Sequence, residues 1–168
     1  MSALFFHPKV VHLPIALAVL MPLVSGGLLA AWWADVLPRR TWMVAVALQL
    51  VLVASSVVAL RSGEREEDRV ERVVAEKVIE AHEEAAEAFT WAAGAILFLH
   101  IAAAAVRRET TARAAAAVAV AGTLVVLFLG YRTGEAGGRL VYEHGAASAY
   151  TSTPGTGAAA HHTKHDDD

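Results

Sequence analysis

His7-Pro8-Lys9-Val10-Val11-His12-Leu13-Pro14-Ile15-Ala16-Leu17 opens an apolar run that continues without a charged side chain to Trp32-Trp33. At about 1.5 Å of rise per helical residue, a run of roughly 20 residues matches the hydrocarbon thickness of a bilayer. Residues 13–33 therefore predict a membrane-spanning helix with an imidazole, His12, at its mouth.

Three further runs behave in the same way: 42–60, 89–106 and 114–131 contain no Asp, Glu, Lys or Arg. With 56% hydrophobic and only 18% charged residues, the chain carries more apolar material than a soluble domain of 168 residues can bury. The expected fold is an all-α membrane protein, a four-transmembrane-helix bundle over residues 1–145. A cleaved signal peptide is the competing reading of the first run, because Ala16-Leu17-Ala18 has the small-x-small form of a cleavage site. Against it stand an n-region with only Lys9 and a run longer than a normal h-region, ending in an interfacial tryptophan pair.

Between the second and third runs, residues 64–87 are dense in both signs of charge. Yet Val70, Val73, Val74, Val78, Ala81, Ala85 and Ala88 recur at helical spacing. That pattern predicts an amphipathic interfacial helix, either lying flat or rising directly into the third span, with His82 on the edge of its apolar stripe. After the fourth run, Gly137-Gly138 is expected to turn the chain back and bring His144 towards the bundle. Residues 146–168, small and then rich in His and Asp, are expected to be a disordered tail.

Arg61-Ser62-Gly63-Glu64 and Arg132-Thr133-Gly134-Glu135 match at an offset of 71, and His12 and His82 at an offset of 70. The chain thus reads as two repeated hairpins related by a pseudo-two-fold along the membrane normal. An even number of spans puts His7, His12, His82, His144, Arg61 and Arg132 at one membrane surface. The opposite surface has Arg39, Arg40, Arg107, Arg108 and Arg113 in two short turns. Positive charge in short loops marks the cytoplasmic side, so a bacterial inner-membrane protein with both termini periplasmic is expected.

The opening His7-Pro8-x-x-Val11-His12-x-Pro14-Ile15-Ala16 and the closing Gly137-Gly138-x-Leu140-Val141-x-x-His144-Gly145 resemble the bacterial four-helix membrane family known as domain of unknown function 2231. The resemblance covers roughly residues 6 to 146, with Leu13 where the family usually has Phe. It implies the four-helix membrane fold. Because some relatives are joined to cytochrome-c-like domains, it also suits a redox role on the outer face.

The chemistry follows from imidazoles at one depth. With no cysteine in the chain, thiolate metal sites, iron–sulfur clusters and covalently attached c-type haem are excluded. Two histidines on two helices are what bis-imidazole ligation of a b-type haem inside a four-helix bundle requires, and His12 with His82 is the expected pair. His144 is the substitute for either ligand, or the partner of His7 or His12 at a second haem. Arg61 and Arg132 are matched to haem propionates, because guanidinium and carboxylate pair in a bidentate, charge-assisted way. Each of these side chains also has an ordinary reading: hydrogen-bonded interface histidines, and arginines that cap helix C-termini. His100 lies 18 residues beyond His82, roughly 27 Å deeper, and reads as a packed histidine.

In the tail, His161, His162 and His165 with three aspartates form a potential Cu²⁺, Ni²⁺ or Zn²⁺ site. No nucleotide loop, nucleophile triad or basic nucleic-acid patch is present in a chain of net charge −3, so an enzyme and a nucleic-acid partner are not expected. The leading expectation is a b-type haem-binding electron-transfer subunit of a larger respiratory or photosynthetic complex. Its partners are membrane lipid, other membrane subunits or a periplasmic cytochrome. The alternative is a non-redox membrane scaffold, an assembly factor or a transition-metal-handling protein. A small transporter is disfavoured by spans that contain no Asp, Glu, Lys or Arg.

Overall fold

In the computed structural model, which describes residues 10–65 and 67–151, the four apolar runs become four long helices. They are α1, His12–Trp33; α2, Met43–Glu64; α4, Glu76–Ala105; and α5, Glu109–Tyr142. Two four-residue helices, α3 (Glu67–Val70) and α6 (Ser148–Thr151), and a 3-10 turn at Arg39–Trp42 complete the regular structure of the described residues. All four long helices are long and apolar enough to cross a membrane. Each packs on its neighbour in the chain, and α5 closes the ring on α1, which makes a four-helix bundle.

The bundle closes tightly because its inward positions are small. Ala112, Ala116 and Ala119, on one face of α5, are fully buried against Ala103 of α4, together with Leu29, Trp32, Trp42 and Ala45. Side chains this short let helix backbones approach closely. Gly122 extends the same face, since a Cβ there would lie 2.2 Å from Cδ1 of Ile96. A second cluster, Leu17, Ala18, Met21, Leu52, Phe89, Ala93 and Val126, fills the bundle nearer its other end.

At the end formed by the two short turns, polar groups lock the four helices together. Arg39 caps the C-terminus of α4 through one guanidinium nitrogen, whose two protons are shared among the carbonyls of Ala103, Ala104 and Val106. Trp32 Nε1 donates to Glu109 Oε1 at 2.7 Å, and Arg113 pairs with both Glu109 and Asp35. The guanidinium groups of Arg39 and Arg113 each lie 5.8 Å from the Trp32 ring centroid. Helix α1 stops in a Schellman arrangement: the Val36 N–H bonds the Ala31 carbonyl and the Asp35 N–H that of Trp32. Asp35 takes the left-handed conformation this requires, at φ 53°.

Two expected features differ. The amphipathic helix over 64–87 is divided: α2 ends at Glu64, α3 occupies 67–70, and after a turn α4 starts at Glu76 and runs unbroken through the third apolar span. The division lets Val74 and Ile79 pack with Leu140 and Ala146 in a small satellite core, which a single straight helix would have separated. Nor does the chain turn at Gly137-Gly138. Helix α5 passes through both glycines to Tyr142, and the reversal comes at Gly145, whose φ of 68° suits glycine. There the Ala146 N–H bonds the Leu140 carbonyl.

Candidate functional site

The ends opposite the arginine turns enclose a cavity of about 500 Å³, walled mostly by apolar atoms. Helix α1 contributes His12 and Pro14, α2 contributes Ser56, Ala59 and Gly63, and α4 contributes His82, Glu83, Phe89 and Thr90. The fourth wall is α5, with Gly130, Thr133, Gly134, Gly137, Gly138 and Tyr142. His12 and His82, expected as a pair from their spacing, therefore line one cavity from two different helices.

The α5 wall is shaped by the absence of side chains. A Cβ on Gly137 would sit 3.1 Å from Cε1 and 3.5 Å from Nδ1 of His82, so the imidazole rests against bare backbone. At Gly130, a Cβ would lie 3.1 Å from the Phe89 ring and 3.6 Å from Cβ of Ala18. The glycines hold His82 and Phe89 close to α5 and leave the space in front of them open. Thr133 ties the wall to α4: its hydroxyl lies 2.9 Å from the Ala85 carbonyl and 3.0 Å from that of Leu129, and its one proton is shared between them.

The rim is acidic. Glu83 lies outside the apolar stretch that begins at Phe89. Its carboxyl is held above the usual range, first by partial burial and then by the charges of Glu67, Glu64, Glu87 and Glu71.

The other expected site residues fall elsewhere. His144 follows α5 on an exposed turn, and Arg61 and Arg132 are exposed; none of the three lines the cavity. His7, His161, His162 and His165 lie outside the described residues. Among the described residues no three His, Cys, Asp or Glu side chains converge as a metal site.

Sequence reasoning missed the α5 wall. Glycines at 130, 134, 137 and 138 are spaced as one face of a helix, a signal concealed by reading the last two as a turn. Thr133 and Tyr142 carry no comparable signal. No family model, curated protein or solved structure matches this chain.

Proposed function

We propose that the chain is a multi-pass membrane protein whose cavity holds a b-type haem between His12 and His82, and that it serves as an electron-transfer subunit. The observation that carries this reading is the joint presence of those two imidazoles, from α1 and α4, in the wall of one apolar cavity of about 500 Å³. Cofactor pockets typically measure roughly 300–1,000 Å³, and a four-helix bundle with inward histidines is an established setting for haem.

The residues fit the group in three respects. Two imidazoles from different helices are a ligand set that suits haem iron. A glycine-faced wall admits a flat ligand close to the α5 backbone, and the Gly137 contact fixes one face of the His82 ring. His12 and His82 would hold the iron, Phe89 and Pro14 would exclude water, and bound haem would supply reversible one-electron transfer. Arg61 and Arg132 remain proposed partners for the propionates, acting from the exposed surface of the bundle.

Membrane insertion is supported by the outer surface of the bundle, where Leu23, Trp91 and Phe98 are each more than 70% exposed. Such side chains are at home in lipid and costly in water. The arginine turns supply the cytoplasmic orientation signal, leaving the cavity on the periplasmic side of a bacterial inner membrane. The two-hairpin repeat and the likeness to the four-helix membrane family agree with this reading.

Purification in mild detergent from a haem-replete host tests it. The expected product shows Soret and α bands that are lost in His12→Ala and His82→Ala and kept in His100→Ala. A colourless wild-type protein overturns it.

A further inference from the structure

We infer that the interface between α2 and α4, away from the cavity, holds internal water at two levels, one on His100 and one on Gln49. Both side chains are fully buried. Nδ1 of His100 lies 2.9 Å from the Ile96 carbonyl oxygen, which can only accept, so Nδ1 carries the proton and Nε2 of the neutral ring presents a lone pair. Gln49 is oriented in the same way. Its Nε2 donates to the Ala93 carbonyl at 2.9 Å, which leaves Oε1 as an acceptor. Neither His100 Nε2 nor Gln49 Oε1 has a donor within hydrogen-bond distance, and neither is reached by solvent.

Among the described residues no donor lies within reach of either atom. Trp42 Nε1, on the residue stacked against His100, donates to the His100 carbonyl. The buried hydroxyls of Ser25, Ser55, Ser56 and Thr123 each bond a carbonyl of their own helix. Each fixed acceptor, in its apolar surrounding, therefore calls for a small neutral donor of its own from outside the chain. Water fits, having two O–H groups and no charge to desolvate, whereas a cation at a single neutral ligand would be strongly disfavoured there.

Gln49 and Ala93 on one level, and Trp42 and His100 on the next, lie two helical turns apart along the interface. Hydration at both levels makes a polar seam inside a bundle whose apolar spans contain no Asp, Glu, Lys or Arg.

The test is nuclear magnetic resonance of the full-length protein in lipid nanodiscs, with ¹⁵N-labelled His and Gln. The expected result is a His100 ring protonated at Nδ1 and bare at Nε2, with magnetisation transfer from water to both the His100 ring protons and the Gln49 side-chain amide. His100→Phe, which keeps an aromatic ring over Trp42, is expected to abolish the transfer at position 100. Gln49→Leu is expected to abolish it at position 49. A proton found on Nε2, or absence of water transfer at either side chain of the wild-type protein, overturns the inference. The wild-type measurement decides even if a variant fails to fold.

Discussion

The imidazole of His100 is stacked on the indole of Trp42, with ring centroids 5.2 Å apart and planes within 9° of parallel. The same indole donates its N–H to the His100 carbonyl, so one side chain of the 3-10 turn before α2 grips both the ring and the backbone of α4. Trp42→Ala is expected to destabilise the fold by about 3–5 kcal/mol, the usual cost of emptying a large aromatic site. Trp42→Phe keeps a stacked ring and loses one hydrogen bond, at about 1 kcal/mol. Unfolding of detergent-solubilised variants checks the order; equal losses would contradict it.

Asp35 holds a position at the end of α1 that glycine usually occupies, at φ 53°. Its ion pair with Arg113 is on an 82% exposed carboxylate and is worth little. Asp35→Gly is therefore expected to be neutral or stabilising, and Asp35→Ala destabilising by about 1 kcal/mol. If Asp35→Gly proves the worse of the two, the ion pair outweighs the backbone strain.

Gly137→Ala adds a methyl group 3.1 Å from the His82 ring. The α5 helix itself should gain about 0.5–1 kcal/mol from the change. The expected phenotype is a protein at least as stable as wild type that binds haem several-fold more weakly, read from haem titration beside thermal unfolding. Unchanged haem affinity would show that the ring position does not matter for the cofactor.

Arg39 supplies the donors that cap three carbonyls at the C-terminus of α4. Arg39→Lys is expected to recover only part of the roughly 1–3 kcal/mol lost in Arg39→Ala, because the shorter lysine side chain ends short of the position of Nη2, which makes all three contacts. Chemical unfolding of the two variants tests both size and order.

The absence of native cysteine makes membrane sidedness directly measurable. His144→Cys in intact cells is expected to react with an impermeant maleimide, and Arg40→Cys only after permeabilisation. The reverse pattern would invert the proposed topology.

The bundle was legible because 18 or more residues without charge have few fates, and apart from Trp42 and Val106 at their ends those four runs sit inside the four long helices. The His12–His82 juxtaposition was legible for a related reason. With antiparallel neighbours, residues at the start of the first and third spans must share an end of the bundle. What escaped was decided by tertiary contact. Gly137 and Gly138 look like a break until His82 is seen resting on the first of them. The valines of 70–78 look like one amphipathic stripe until Leu140 and Ala146 are there to receive Val74. The polar matching of His100 and Gln49 depends on which carbonyl each side chain meets, which no periodicity encodes.

The lock joining Arg39, Trp32, Glu109, Arg113 and Asp35 also sets how this molecule can deform. It fixes one end of four rods and makes that end a fulcrum. Helix α4, with 30 residues, is a lever of about 45 Å, so a swing of about 5° carries its free tip about 4 Å. Admission of a bulky guest at the far end thus calls for only a slight splaying of the rods, while the pivot and its cluster of buried rings stay closed.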